Sequence, residues 1–208
     1  MKLLFGTGNQ YKYLLMKERL KAIEKIEVVI PKMLNLNINI IEDGKTPEEN
    51  AIKKAKQYYD TTKLPTIAED SGLYIDKFNE DEQPGLFVKR IGGNENATDE
   101  EILKWYIEKL EKYGGESLAC YHTGVCVIDE NGKIYSQTIE ENKFLMTAKS
   151  NNKPTISGGV LDCISYDLIN NKYFNERTDE ERAVHFKNLD EKYRKLVKDV
   201  FVNRENER

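Results

Sequence analysis

KLLFGTGNQYKYLLMKERLKAI, residues 2–23, decides the fold class. Lys2 to Phe5 reads as a short buried strand, Gly6 to Asn9 as a tight turn, and Met16, Leu20 and Ile23 recur at helical spacing. Strand, glycine turn and helix in this order open an α/β fold. Val28 to Ile30 suggests a second strand, and Leu36 to Ile41 alternates apolar and polar residues before the turn at Glu42-Asp43-Gly44. A helix then starts at TPEEN (46–50): Thr46 caps, Pro47 suits the first helical position, and Glu49 stands where a capping-box carboxylate belongs. Ala51, Ala55 and Tyr58 continue its buried stripe. Thr66 to Ala68 is a short strand that delivers Glu69, Asp70, Ser71 and Gly72 at its end, where open α/β sheets place their chemistry.

Two more helices are expected, because Thr98 with Glu101 and Thr178 with Glu181 repeat the capping pattern ahead of apolar residues at helical spacing. The first uses Ile102, Trp105, Tyr106, Leu110 and Tyr113 and ends at Gly114; the second uses Phe186, Leu189, Tyr193, Leu196 and Val200. Between them, Leu118 to Ile128 and Lys133 to Ile139 flank Asp129-Glu130-Asn131-Gly132, a hairpin turn in which Gly132 can take positive φ. No linker, repeat or break in composition divides the chain, so residues 1–208 are expected to form a single domain with a frayed C-terminal NRENER.

The 208 residues, 39% of them hydrophobic, are enough for a sizeable core without disulfides. A net charge of −4 provides no basic surface for nucleic acid, and basic-aromatic interleaving is missing. A polyanionic ligand therefore calls for a metal or a lysine cluster. Cys120, Cys126 and Cys163 form no CxxC pair and sit in apolar segments, so they read as reduced core thiols of a cytoplasmic protein and suggest no zinc site. The three apolar residues before the first glycine are too few for a signal peptide, and no run approaches a membrane span.

Three stretches carry chemistry. GTGNQYK (6–12) sets two glycines, a hydroxyl, an amide and a lysine at a strand-to-helix turn, where backbone N–H groups and the helix dipole favour an anion. Thr7, Gly8, Asn9 and Lys12 are the candidate phosphate ligands; the plainer reading is a tight turn with Asn9 as helix cap. The stretch is not a Walker A loop, which needs four residues between its glycines and a Lys-Ser/Thr pair after them. EDGKTPEENAIKKA (42–55) and AEDSG (68–72) contribute Glu42, Glu69 and Asp70, hard oxygen donors of the kind Mg²⁺ prefers. Glu42 also reads as an exposed turn residue. Asp70, directly after an apolar strand, is costly to bury unless it meets a metal or donors, which prefers its functional reading. Lys54, one turn beyond Asn50, reaches toward a bound phosphate or is solvated beside Lys53 and Lys56. Arg90, closing PGLFVKR (84–90), pairs with a phosphate or carboxylate or lies on the surface.

With these residues in hand, the sequence resembles the inosine triphosphate pyrophosphatase family, which removes non-standard purine nucleoside triphosphates. GTGNQYK is similar to the family's (A/S)TGNxxK opening, EDGKTPEENAIKKA to its E-x-G-x-T-x-x-E-N-A-x-x-K-A segment, AEDSGLYID (68–76) to its A-(E/D)-D-S-G-L-x-V-D segment, and PGLFVKR to the PGxxSAR that follows. The resemblance covers about the first half of the chain in the family's order. It implies an elongated mixed α/β sheet with flanking helices, two lobes around a central nucleotide cleft, a homodimer, Mg²⁺, and hydrolysis of a nucleoside triphosphate to monophosphate and pyrophosphate. Carried over by position, Thr7, Asn9, Lys12 and Lys54 are similar to phosphate-binding residues, and Glu42 and Asp70 to the carboxylates serving metal and water. Glu69 and Ser71 are expected to line the same turn, Glu69 as a further metal carboxylate and Ser71 at the substrate.

The resemblance fails where the family grips its base. In place of an intact G-F-G-Y-D-P segment stands TISGGVLDCISYD (155–167), retaining Gly158, Gly159 and Asp162, and in place of S-H-R stands EERAVHFK (180–187). His185, Phe186 and Lys187 occupy roughly the last motif's positions; His185 contacts a base or is structural, and Phe186 stacks on the base or joins the core. The phosphate and metal apparatus is thus kept while base discrimination is altered. The leading expectation is hydrolysis of inosine, deoxyinosine or xanthosine triphosphate; the alternatives are another nucleotide, or a nucleotide-binding protein without turnover.

Overall fold

The opening strand pairs in parallel on both sides in the computed structural model, which describes residues 1–154 and 159–203. The elements, in chain order, are β1 (Lys2–Phe5), α1 (Gln10–Leu20), β2 (Glu27–Val29), α2 (Pro47–Thr62), β3 (Thr66–Ile75), α3 (Asp99–Lys112), β4 (Glu116–Ile128), β5 (Ile134–Glu140), β6 (Phe144–Thr147), β7 (Ser165–Asp167), β8 (Lys172–Tyr173) and α4 (Asp179–Phe201). The strands form an open mixed sheet in the order β2-β1-β3-β4-β6-β7-β8, with β5 on β4. The mixed α/β class with flanking helices is as expected. The chain builds two compact units, Met1–Ser71 with Thr123–Ile139 and Leu189–Arg208, and Gly72–His122 with Glu140–Asn188.

In the first unit, β1 lies between β2 and β3, with Leu4 opposite Val29 on one side and Thr66 on the other. Leu3, Leu4 and Phe5 are fully buried, as a strand covered on both faces requires. α2 buries Ala51, Ala55 and Tyr58 against this layer, as its spacing predicts. Asp129 to Gly132 makes the expected turn: Gly132 has φ 81° and its N–H bonds the Asp129 carbonyl, while the Asp129 carboxylate accepts the N–H groups of Asn131 and Lys133. The alternating stretch Leu36 to Ile41 forms no strand. Leu36, Ile38 and Ile40 do pack on Leu4, Val29 and Tyr58. The backbone at Ile41, however, exchanges hydrogen bonds with the Gln57 side-chain amide instead of a neighbouring strand. Alternation here reports burial without pairing.

In the second unit, β6 runs antiparallel to β4 and to β7, and β7 to β8. α3 starts with a complete Thr98–Glu101 capping box and buries Ile102, Tyr106 and Leu110; the left-handed Gly114 follows its end. Leu73, Phe144, Ile164 and Phe174 complete that core. The Thr178–Glu181 pair also caps as expected. The inward stripe of α4 runs through His185, Leu189, Tyr193, Val197 and Val200, so Phe186 and Leu196 sit at its half-buried margin. The three cysteines are free and buried, and burial pushes the Cys120 and Cys126 thiols up to about 11 and about 12.

Candidate functional site

Asn9 caps α1: its side-chain oxygen accepts the N–H groups of Tyr11 and Lys12 at 2.9 and 3.2 Å, and Thr7 Oγ1 accepts the Asn9 N–H at 3.1 Å. The turn is therefore built as the plainer reading has it, with Gly8 exposed between the two. That build leaves Lys12 on the first helical turn, with its ammonium 3.2 Å from Oε1 of Glu69. Burial opposes the charge of Lys12, but Glu69, with Asp70 and Glu42 beyond it, outweighs burial and raises the ammonium above the ordinary lysine value.

Asp70 comes to the same region from β3. Its Oδ2 accepts a hydrogen bond from Asn50 Nδ2 at 2.9 Å, and Asn50 Oδ1 accepts the Gly44 N–H at 2.7 Å. A buried amide with a carboxylate on one side and an N–H on the other has one orientation that satisfies both. Asn50 thus fixes one oxygen of Asp70 and ties it to the loop carrying Glu42. The same contact explains Gly44, where an added Cβ would lie 2.6 Å from Asn50 Oδ1 and 2.9 Å from the Asn50 nitrogen. Lys54, half-buried one turn further along α2, forms an ion pair with Glu42, donates to the Glu69 carbonyl at 3.1 Å, and lies 4.0 Å from Asp70 Oδ1. Glu42, Lys54 and Asp70 are thereby one cluster, and Lys12 is held beside it.

β3 does not stop at Ala68 but runs on to Ile75, so Glu69, Asp70 and Ser71 lie mid-strand and not on a turn. β1 pairs only with Thr66 and Ile67 before its chain turns away at Gly6, which leaves Glu69 to Ser71 past the end of that ladder. Ser71 Oγ hydrogen-bonds Thr123 Oγ1 on β4 at 2.8 Å. Glu69 was grouped above with the metal carboxylates, yet its oxygens face Lys12, Arg19 and the Tyr193 hydroxyl. Burial pushes this carboxyl up, but the two cations and the hydroxyl outweigh burial and hold it below the usual glutamate value. Among the described residues, no group of three or more histidine, cysteine or acidic side chains is assembled around one metal position.

Arg90 and His185 belong to the second unit. Arg90 is exposed, over the Phe87 ring at 5.5 Å and 3.7 Å from Glu95. His185 is an interior residue, edge-on to Phe174 and Phe186. Its Nδ1 lies 3.3 Å from Asp167 Oδ2, within ion-pair range but without the alignment of a hydrogen bond. Burial and the nearby Arg177 cation lower the pKa of its imidazole, which Asp167 only partly offsets. Of the altered segment, Gly159 accepts the Asp162 N–H at 2.9 Å, and Gly158 lies outside the described residues.

Sequence reasoning missed Asn50, Arg19, Tyr193 and Asp190. A signal existed for Asn50: an amide beside Ala51 on the buried stripe has to find partners. Arg19, Tyr193 and Asp190 carried none, because their partners are 50 or more residues away.

The family model described as the Ham1 family matches residues 3–151, ending before the altered segment at 155. A dITP/XTP pyrophosphatase of Leptospira interrogans (serovar copenhageni) is 33% identical over 130 residues, 62% of this chain and 63% of that one. The enzyme of the same name from Geobacter sulfurreducens is 40% identical over 96 residues, 46% and 47% of the two chains. The match thus spans less than two thirds of either relative. Among solved structures, a HAM1 protein from Coxiella burnetii is similar with TM-score 0.75 at 26% identity, covering 96% of this chain and 99% of that one. The Staphylococcus aureus Ham1 protein shares the fold, with TM-score 0.73 at 21% identity over 95% and 98% of the two chains.

Proposed function

This chain belongs to the Ham1 family, and we propose that it is a Mg²⁺-dependent nucleoside triphosphate pyrophosphatase acting on inosine, deoxyinosine or xanthosine triphosphate. The observation that carries the reading is the cluster in which Asn50 fixes Asp70, Lys54 joins Asp70 to Glu42, and Lys12 stands beside them. The names of the Leptospira and Geobacter relatives support the choice of substrate.

In this reading, Lys12 and Lys54 bind the β- and γ-phosphates and stabilise charge on the departing pyrophosphate. Thr7, Gly8 and Asn9 present the α1 N-terminus to a phosphate. Asp70, with one oxygen fixed by Asn50, orients a water for attack at the α-phosphorus and takes its proton; the α–β bridging oxygen leaves with pyrophosphate. Glu42 and Asp70 would hold Mg²⁺. Two carboxylates suit an ion that commonly takes one or two from the protein and the rest of its shell from phosphates and water. When bound, Mg²⁺ supplies neutralisation of the phosphate oxygens. Lys54, which pairs with both carboxylates, is placed to exchange them for phosphate.

The test is pyrophosphate release, quantified against orthophosphate, from a panel of inosine, xanthosine and the four standard nucleotides in ribo and deoxy forms, with Asp70→Asn alongside. Release chiefly from the inosine and xanthosine nucleotides and not from the guanosine ones, lost in the variant, supports the reading. Labelled water recovered only in pyrophosphate would exclude attack at the α-phosphorus. A second reading, pyrophosphohydrolysis of another nucleotide, is favoured by the altered base segment beyond residue 151 and by the interior position of His185; release chiefly from any of the four standard nucleotides selects it. Binding without release would select a nucleotide-binding protein. We further propose a homodimer working in the cytoplasm, the latter supported by three free buried thiols. Among the described residues, no helix is long and apolar enough to cross a membrane.

A further inference from the structure

Glu69 is surrounded by groups that the proposed chemistry does not use. Its Oε2 accepts a hydrogen bond from the Tyr193 hydroxyl at 2.5 Å and lies 3.8 Å from Arg19 Nη1. Arg19 stacks its guanidinium 4.2 Å over the Tyr193 ring and donates from Nε to Asp190 at 2.6 Å. Tyr193 is fully buried and Arg19 nearly so, whereas the Lys12 side chain at the other Glu69 oxygen is 39% exposed. Two fixed residues grip one carboxylate oxygen, and the second oxygen grips the lysine whose charged end remains open.

The charges sort in the same direction. Arg19 is shared between Asp190, in direct contact at Nε, and Glu69, whose other oxygen holds the closer ion pair to Lys12. We propose that Tyr193 and Arg19 are positioning residues for Lys12: they fix the Glu69 carboxylate, and Glu69 holds the Lys12 ammonium at the polyphosphate-binding turn. The inference rests on the reading of this site as a polyphosphate site and assigns Glu69 to the lysine instead of to the metal. α4, reached only after the second unit has been built, thereby supports the binding turn at residues 6–12.

The test is a double-mutant cycle in the full chain, with Tyr193→Phe, Lys12→Met and both together. Tyr193→Phe removes the hydroxyl and leaves the ring under Arg19. The probe is inorganic tripolyphosphate with Mg²⁺, followed by calorimetry. We expect Tyr193→Phe to weaken binding about five-fold when Lys12 is present and by less than about 1.5-fold in the Lys12→Met background, since residues acting through one group are coupled. The same factor in both backgrounds would mean general packing and would overturn the proposal. Independently of any ligand, ¹³C relaxation of the Lys12 Cε should change from ordered to surface-like mobility in Tyr193→Phe and in Arg19→Met. Unchanged order would also overturn it. A wild-type chain that neither binds tripolyphosphate nor releases pyrophosphate would sink the functional reading, and the relaxation of Lys12 would then decide the positioning role by itself.

Discussion

Asp167→Asn should cost the second unit about 2–4 kcal/mol, a little below the roughly 3–5 kcal/mol for breaking a buried ion pair. Asp167 has no exposed surface and accepts four hydrogen bonds, from the N–H groups of Ile169 and Asn170 at 2.9 and 3.3 Å, Asn170 Nδ2 at 3.0 Å and Arg177 Nη1 at 3.2 Å, with His185 Nδ1 at 3.3 Å in ion-pair range only. Burial alone would push this carboxyl up, but Asn170, the Ile169 N–H and His185 outweigh it and hold the carboxyl at about 2, against an ordinary 3.8. At about 1.36 kcal/mol per pKa unit, that gap of roughly 1.8 favours the folded, ionised form by about 2 kcal/mol. Asparagine keeps an acceptor for the two N–H groups but turns a second donor toward Arg177, which is 5% exposed in its side chain. Losing a buried partner costs about 3–5 kcal/mol, and the Phe174 ring under the guanidinium offsets part of it. The chain's one tryptophan, Trp105, packs on this unit's core, so its fluorescence in urea reports the relevant transition. For a chain of this size the melting temperature should fall by about 10 °C. The folded pKa is depressed, so the contribution is complete above 3.8 and disappears as pH falls through about 2; the gap between wild type and variant should close over that window. A loss below about 0.5 kcal/mol, or a gap indifferent to acid, would refute the reasoning.

Lys54→Met should lower kcat for pyrophosphate release by about 100-fold or more, because it removes a charge from the leaving group and the link between Glu42 and Asp70; activity within a few-fold of wild type would contradict that role. Gly44→Ala should destabilise the first unit by about 1–3 kcal/mol through the clash with Asn50, and a hydrogen-exchange map should show α2's first turn loosened. Burial lowers the pKa of His185 and so disfavours its charged form in the folded chain; its contribution is complete above the ordinary 6.5 and declines as pH falls below it. His185→Gln should flatten urea stability between pH 6.5 and 5, and an equal slope in the variant would assign the effect to another group.

The capped turn at residues 6–12 and the three threonine caps were legible because each arises from residues within about four positions of one another, the range over which side chains answer helix-end N–H groups. The hairpin at Asp129 to Gly132 is local in the same sense. The alternation of Leu36 to Ile41 does not specify a strand partner, and at Ile41 the Gln57 amide satisfies the backbone instead. The length of β3 misled because its pairing ends at Ile67 on one side only.

By itself the sequence determined most of the element order and the helix caps, which follow from backbone hydrogen bonding and periodicity along a short stretch. Tertiary structure decided which charges answer which. Asn50 meets Asp70 across 20 residues, Tyr193 meets Glu69 across 124, and Arg19 meets Asp190 across 171. Those pairings depend on where α1, α2 and α4 dock, and a buried charge must take the partner that docking supplies, since it has no water to take instead.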